Sequence, residues 1–135
     1  MKKIIQQYII IISIILLDFI TKIIFLNKQI TFTNFFYIST VINTGTISGI
    51  LSGLNTLFII TTIITIGILI YLYKKEKRLR FGLNMIIAGA IGNLTSRIIY
   101  GGVIDFIYLY PFGTFNLADI FIDIGLIMCI YKTIK

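Results

Sequence analysis

The sequence predicts an all-α membrane protein, a four-transmembrane-helix bundle with a small β-rich extracytoplasmic cradle. Three observations carry this. Hydrophobic residues make up 58% of the 135 and charged residues only 13%, against about a quarter charged in an ordinary soluble domain. Mean hydropathy is +1.02, and a fold of this length buries only about 60–70% of the surface its unfolded chain exposes. The apolar residues gather into four runs, each close to the roughly 20 residues a helix needs to cross the hydrocarbon. A water-soluble monomer and a disordered chain are both excluded. The chain reads as a single integral membrane domain spanning residues 1–135.

The first span covers residues 4–26. Lys2 and Lys3 before an apolar run are similar to the start of a secretory signal peptide. No small-residue cleavage site follows, so an uncleaved first helix is expected. Residues 54–73, 81–100 and 117–131 supply the other spans, the last being short. All are rich in Ile, a mediocre helix former in water. In lipid the backbone must satisfy itself, so helix is still required.

Basic residues set the orientation. Lys2, Lys3, Lys74, Lys75, Lys77, Arg78, Arg80, Lys132 and Lys135 fall on one side of the spans. By the positive-inside rule that side is cytoplasmic, with both termini and the loop 74–80. The net charge of +7 is therefore read as a topology signal, not as nucleic-acid binding. The outer segments, 27–53 and 101–116, differ in kind from the inner loop. Residues 30–42 and 103–110 are dense in β-branched and aromatic side chains, which favours strands.

The sequence has no His and a single Cys, Cys129. Histidine-based catalysis, an internal disulfide and a Cys-pair zinc site are excluded. Cys129 is expected to pack as a small hydrophobe. Four of the five acids, Asp18, Asp105, Asp119 and Asp123, lie in or beside apolar segments, where an ionisable group is costly and marks a functional candidate. Asp18 sits well toward the outer end of span one, and Lys22 follows at i+4 in the favourable acid-before-base order. The pair is either an interfacial anchor or a platform beneath an outer site. Gly89, Asn93 and Arg97 recur at i, i+4 and i+8 on one stripe of span three. The Ala88-Gly89-Ala90-x-Gly92 cluster suits close helix packing, but a buried Asn93 needs partners. Asn116 and Asp119 have the spacing of a capping box opening span four, and a helix start also favours a carboxylate. Asp105 belongs to the second outer segment, so it meets Asp119 only through folding. Two carboxylates in a half-dry site share a proton, as acid–base hydrolysis of a peptide requires. Spacing alone leaves open a divalent-cation site or an ion path.

Five pieces of sequence, in order, resemble one family. Asp18-Phe-Ile-Thr21-Lys22 resembles the D-x-x-T-K box of bacterial lipoprotein signal peptidases (signal peptidase II). Asn43-Thr-Gly45-Thr-Ile-Ser-Gly49 is similar to their N-x-G-x-x-F-G box, and Gly89-Ala-Ile-Gly92-Asn93-Leu-Thr-Ser-Arg97 to their G-x-x-G-N-x-x-D-R box. Val103-Ile-Asp105-Phe106 and Phe115-Asn116-Leu-Ala118-Asp119 resemble the closing V-x-D-F and F-N-x-A-D pair. The resemblance implies an aspartic endopeptidase of the bacterial cytoplasmic (inner) membrane, active at the extracytoplasmic face. It implies cleavage of diacylglyceryl-modified prolipoproteins before the lipidated cysteine. Asp105 and Asp119 would be catalytic. Asp18, Lys22, Asn43, Gly45, Asn93, Arg97 and Asn116 would shape the site and hold substrate. No metal or other cofactor is implied. The implied partners are prolipoproteins, membrane lipids and globomycin-type inhibitors, with the protein as a monomer.

Two positions depart from the family pattern. Ser96 stands where an Asp precedes the Arg, and Ser48 where an aromatic is usual. Asp123 is expected to replace the missing partner of Arg97, since its own burial is otherwise uncompensated. Three rival readings follow from the same residues. A relative that binds lipoproteins without cutting them is suggested by Ser96 and Ser48. A small transporter would place its acids along a path, whereas these gather at one face. A metal-dependent lipid phosphotransferase would want a denser run of Asp near the cytoplasmic face.

Overall fold

The computed structural model describes residues 2–45 and 54–135. Ser48 and Gly49 of the second motif lie outside them, as do the side chains of Lys2 and Lys3. The chain runs α1 (Lys2–Phe25), β1 (Gln29–Thr33), β2 (Phe36–Asn43), α2 (Asn55–Lys75), α3 (Arg80–Tyr100), β3 (Val103–Leu109), β4 (Gly113–Phe115) and α4 (Leu117–Ile134). The strands form one antiparallel sheet in the order β1-β2-β3-β4. The strand-rich outer segment forms a hairpin, because the chain turns back between Thr33 and Phe36. Phe36 N donates to Thr33 Oγ1 (3.0 Å), a local bond that fixes this turn.

The helix exteriors are apolar. In α2 no residue is buried, and Ile60, Ile63, Ile64 and Ile68 are all at least half exposed. Three of its threonines turn their hydroxyls back onto the helix. Thr61, Thr62 and Thr65 donate their hydroxyls to the carbonyls of Leu57, Phe58 and Thr61 one turn back, at 3.0, 2.6 and 2.9 Å. Such a surface is uncovered in water and satisfied in lipid.

By length and composition, two helical stretches can cross a membrane, Ile5–Phe25 and Asn55–Lys75. The other two expected spans form helices but are less uniformly apolar. Asn84, Asn93 and Arg97 dilute α3, while Asp119, Asp123 and Lys132 dilute α4. In α3 the interruptions are polar groups turned into the bundle; in α4 two of the three charges, Asp123 and Lys132, are exposed.

Helix α3 is central. It buries Leu83, Ile87, Ala88 and Ala90 among the other helices. Its small residues set how closely they approach. A Cβ on Gly92 would lie 2.5 Å from Asp18 Oδ2, so only glycine lets α1 bring that carboxylate against α3. The helix ends at Gly101, whose φ of +72° is the left-handed cap conformation that glycine adopts without strain. The sheet is tied to the bundle by Phe106, which is buried and stacks on Phe25 of α1 with ring centroids 4.9 Å apart.

Candidate active site

The polar residues of four separate segments converge where the sheet meets α1, α3 and α4. Helix α4 starts as its sequence predicts. Asn116 is the N-cap, and its Oδ1 accepts from Asp119 N (3.2 Å) while its own N donates to Asp119 Oδ2 (3.0 Å). Asn116 has a second role. Its Nδ2 donates to Asp105 Oδ1 (2.7 Å) on β3 and to Asn93 Oδ1 (3.1 Å). One asparagine therefore lies between Asp105 and Asp119 and is bonded to both.

Every oxygen of the two carboxyls has a donor among the described residues. Asp105 Oδ2 accepts from Asn43 Nδ2 (2.9 Å), and Asp119 Oδ1 from Asn93 Nδ2 (2.8 Å). Strand register delivers the first of these. Val41 lies opposite Asp105 and Asn43 opposite Val103, so Asn43 reaches Asp105 diagonally across the β2–β3 ladder. Asn43 Oδ1 accepts from Gly45 N (2.9 Å), holding the amide in place. Gly45 has a φ of +95°, and the Phe58 ring packs against it.

Asp105 is 2% exposed. Burial pushes its pKa above the ordinary carboxylate value. The Asn43 and Asn116 amides oppose that shift, and the charge of Asp119 adds to it.

Below this layer lies a buried ion pair. Lys22 Nζ is 2.8 Å from Asp18 Oδ2, with the side chains 3% and 1% exposed. Lys22 also donates to Asn93 Oδ1 (3.0 Å), and Asp18 Oδ1 accepts from Ala118 N (3.0 Å) in the first turn of α4. The pair is thus a platform joining α1, α3 and α4, not a surface anchor. Asn93 links the two levels, receiving from Lys22 and Asn116 while donating to Asp119.

Arg97 stands apart from this hydrogen-bond network. Its guanidinium lies over the Phe58 ring, 5.0 Å from the centroid, and its Nη1 is buried without a partner among the described residues. The expectation that Asp123 pairs with Arg97 is wrong. Asp123 is exposed, and among the described residues it makes no ion pair; α4 turns that side chain outward. Ser96 does something else with the position. Its hydroxyl donates to Gly102 O (3.1 Å) and accepts from Ile104 N (3.0 Å), fastening α3 to the start of β3 beside Asp105. Ser96→Ala is expected to cost about 1–3 kcal/mol by leaving Ile104 N–H buried and unpaired. Ser96→Thr, which keeps the hydroxyl, is expected to lose less. Thermal unfolding in detergent measures both.

Phe58 and this role of Ser96 are absent from the sequence reading. An aromatic among Ile and Leu carries no signal of what lies over it. A serine read against an expected aspartate registers as a loss, although its hydroxyl has two bonds to make.

The fold and site define a class: a helical membrane protein whose carboxylates and amides are enclosed beneath a short sheet. Comparisons with known proteins narrow it. The family model for signal peptidase (SPase) II matches residues 10–135. A lipoprotein signal peptidase of Thermodesulfovibrio yellowstonii is 40% identical over 135 residues, covering 90% of each chain. One from Clostridium novyi is 37% identical, covering 91% of this chain and 93% of that one. Two solved structures, described as bacterial membrane enzymes determined by the in meso method at 2.3 and 1.9 Å, superpose with TM-scores of 0.82 and 0.85. Each is 31% identical and covers 96% of this chain; the match takes in 87% and 93% of theirs. The chain belongs to the signal peptidase II family.

Proposed function

We propose that this protein is an aspartic endopeptidase that removes the signal peptide from diacylglyceryl-modified prolipoproteins, cleaving before the lipidated cysteine. The observation that carries the reading is Asn116, bonded at once to Asp105 and Asp119. Two carboxyls held by one residue, Asp105 by its side-chain amide and Asp119 by its backbone N–H, with Asp105 buried, suit a shared proton.

The chemistry follows from that arrangement. Asp105, favoured in its neutral form by burial, donates its proton to the scissile carbonyl oxygen. Asp119, at a helix start that favours negative charge, takes a proton from the attacking water. The water oxygen bonds to the carbonyl carbon. Asp119 then returns that proton to the departing amide nitrogen as the C–N bond breaks, and Asp105 recovers its own as the carbonyl re-forms. Arg97 Nη1, buried and unpartnered among the described residues, is the donor available to substrate backbone. Asn43, Gly45, Asn93 and Asn116 hold the pair in register, and the Asp18–Lys22 platform holds Asn93 and the first turn of α4.

All four helices span the bacterial cytoplasmic membrane in this reading. Both termini and the loop 74–80 are cytoplasmic, the sheet and Asp105 are extracytoplasmic, and the chain 1–135 is a single domain. The lipid anchor and signal helix of the substrate then confine the scissile bond to the outer surface, which supplies much of the positioning. Globomycin-type inhibitors would bind across the two aspartates. The test is cleavage by the purified protein. A diacylglyceryl-modified precursor is expected to lose its signal peptide, the unlipidated precursor to persist, and a globomycin-type inhibitor to stop the reaction. Binding of the lipidated precursor without cleavage would favour an inactive relative.

A further inference from the structure

Far from the carboxylates, at the opposite end of the bundle, Asn84 of α3 is 0% exposed. Neither its Oδ1 nor its Nδ2 has a hydrogen-bond partner among the described residues. Leaving a buried amide unpaired is costly, and Asn84 plays no part in the site around Asp105 and Asp119. It lines a cleft between α1, α2 and α3 whose walls are Ile11, Ile70, Ile87 and Ile91. At the mouth the lining turns polar, with Gln7, Tyr73 and Lys74. The Tyr73 hydroxyl donates to Gln7 Oε1. Arg80 Nε donates to Tyr73 O (3.0 Å), and its guanidinium lies 5.0 Å from the Tyr73 ring centroid. Beyond the mouth the chain continues Lys75-Glu76-Lys77-Arg78, three basic residues and one acid.

We propose that this cleft holds one anionic phospholipid carrying a hydroxylated headgroup, as phosphatidylglycerol does. The phosphate meets Lys74 and the basic segment after it, the acyl chain lies along the isoleucines, and a headgroup hydroxyl pairs with the Asn84 amide. An amide offers a donor and an acceptor at one point, and a hydroxyl answers both. Basic pockets between membrane helices suit anionic headgroups, each Lys or Arg contributing roughly fivefold in affinity. The same charges disfavour a cationic peptide segment. The site requires the apolar helices to lie in lipid but is independent of the protease reading.

The test is native mass spectrometry of the intact protein released from neutral detergent with added lipid. One phosphatidylglycerol per chain is expected to be retained, phosphatidylcholine is not, and glycerol 1-phosphate, which lacks acyl chains, is not. Lys74→Gln is expected to lower phosphatidylglycerol retention roughly fivefold. Asn84→Leu is expected to lower it by a similar factor while thermal stability without lipid stays level or rises, which separates lost binding from lost folding. Equal retention of the two phospholipids, binding of glycerol 1-phosphate, or unchanged retention in both variants overturns the proposal. Cleavage of precursor is scored separately, so failure of either reading leaves the other intact.

Discussion

Asp105→Asn and Asp119→Asn are each expected to abolish precursor cleavage, with a loss of at least about 10⁴-fold, while the protein remains folded in the membrane. Positioned proton transfer contributes about 10²–10⁴-fold for each group, and residues acting as a unit lose most of that when one is removed. Asparagine keeps the size of the side chain and one oxygen to accept from the Asn93, Asn116 or Asn43 donors. It can neither give up nor take up the proton. The rate in the unaltered protein is expected to be bell-shaped in pH. Its alkaline limb marks loss of the shared proton, and burial of Asp105 places that limb above the ordinary carboxylate range. The sign for stability agrees. The folded state holds the Asp105 proton more tightly than the unfolded state, so this group's contribution declines as pH rises through its raised pKa. Cleavage assays with amounts matched by immunodetection of the membrane-inserted protein decide the point. Turnover retained by both variants would end the dyad assignment.

Much of this architecture is legible in the sequence, and the reasons differ by element. The helices read clearly because apolar runs in lipid permit little else. The capping box of α4 reads because Asn116 and Asp119 are three residues apart and act locally. The strand character of 30–42 reads from composition, but its division into β1 and β2 rests on a turn at Asn34 and Phe35 that carries no glycine or proline. Long-range pairings read poorly. Nothing in spacing joins Lys22 to Asn93, 71 positions apart, or Asp18 to Ala118, 100 positions apart. The motif resemblance gathered these residues without their geometry. Asp123 shows the cost of inferring a partner from chemistry alone, because its side chain is exposed and, among the described residues, makes no ion pair with Arg97. The weak apolarity of α3 has the same origin as the site, since Asn93 and Arg97 face it, whereas α4 is strongly apolar and is interrupted mainly by the exposed Asp123 and Lys132.

Lys22→Met is expected to destabilise the fold by about 3–5 kcal/mol, the range for removing one partner of a buried ion pair. With Lys22 gone, Asp18 remains enclosed at 1% exposure, and its Oδ2 loses the only side-chain donor it has among the described residues. Its other oxygen keeps Ala118 N, which limits the loss. Surface ion pairs are worth about 0–1 kcal/mol, so the measurement separates a platform from an anchor. The double variant Asp18→Asn/Lys22→Met is expected to be less destabilised than the sum of its single changes. Without the charge there is little left to compensate, and an amide oxygen still accepts from Ala118 N. Asn93 would retain Asn116 as a donor but lose Lys22, leaving its hold on Asp119 less rigid, so cleavage should fall in both variants even where folding recovers. Thermal unfolding in detergent with parallel cleavage assays tests the scheme. A single variant within about 0.5 kcal/mol of the parent, or strict additivity in the double, would mean that the ion pair is structurally idle and that Asn93 is held by other contacts.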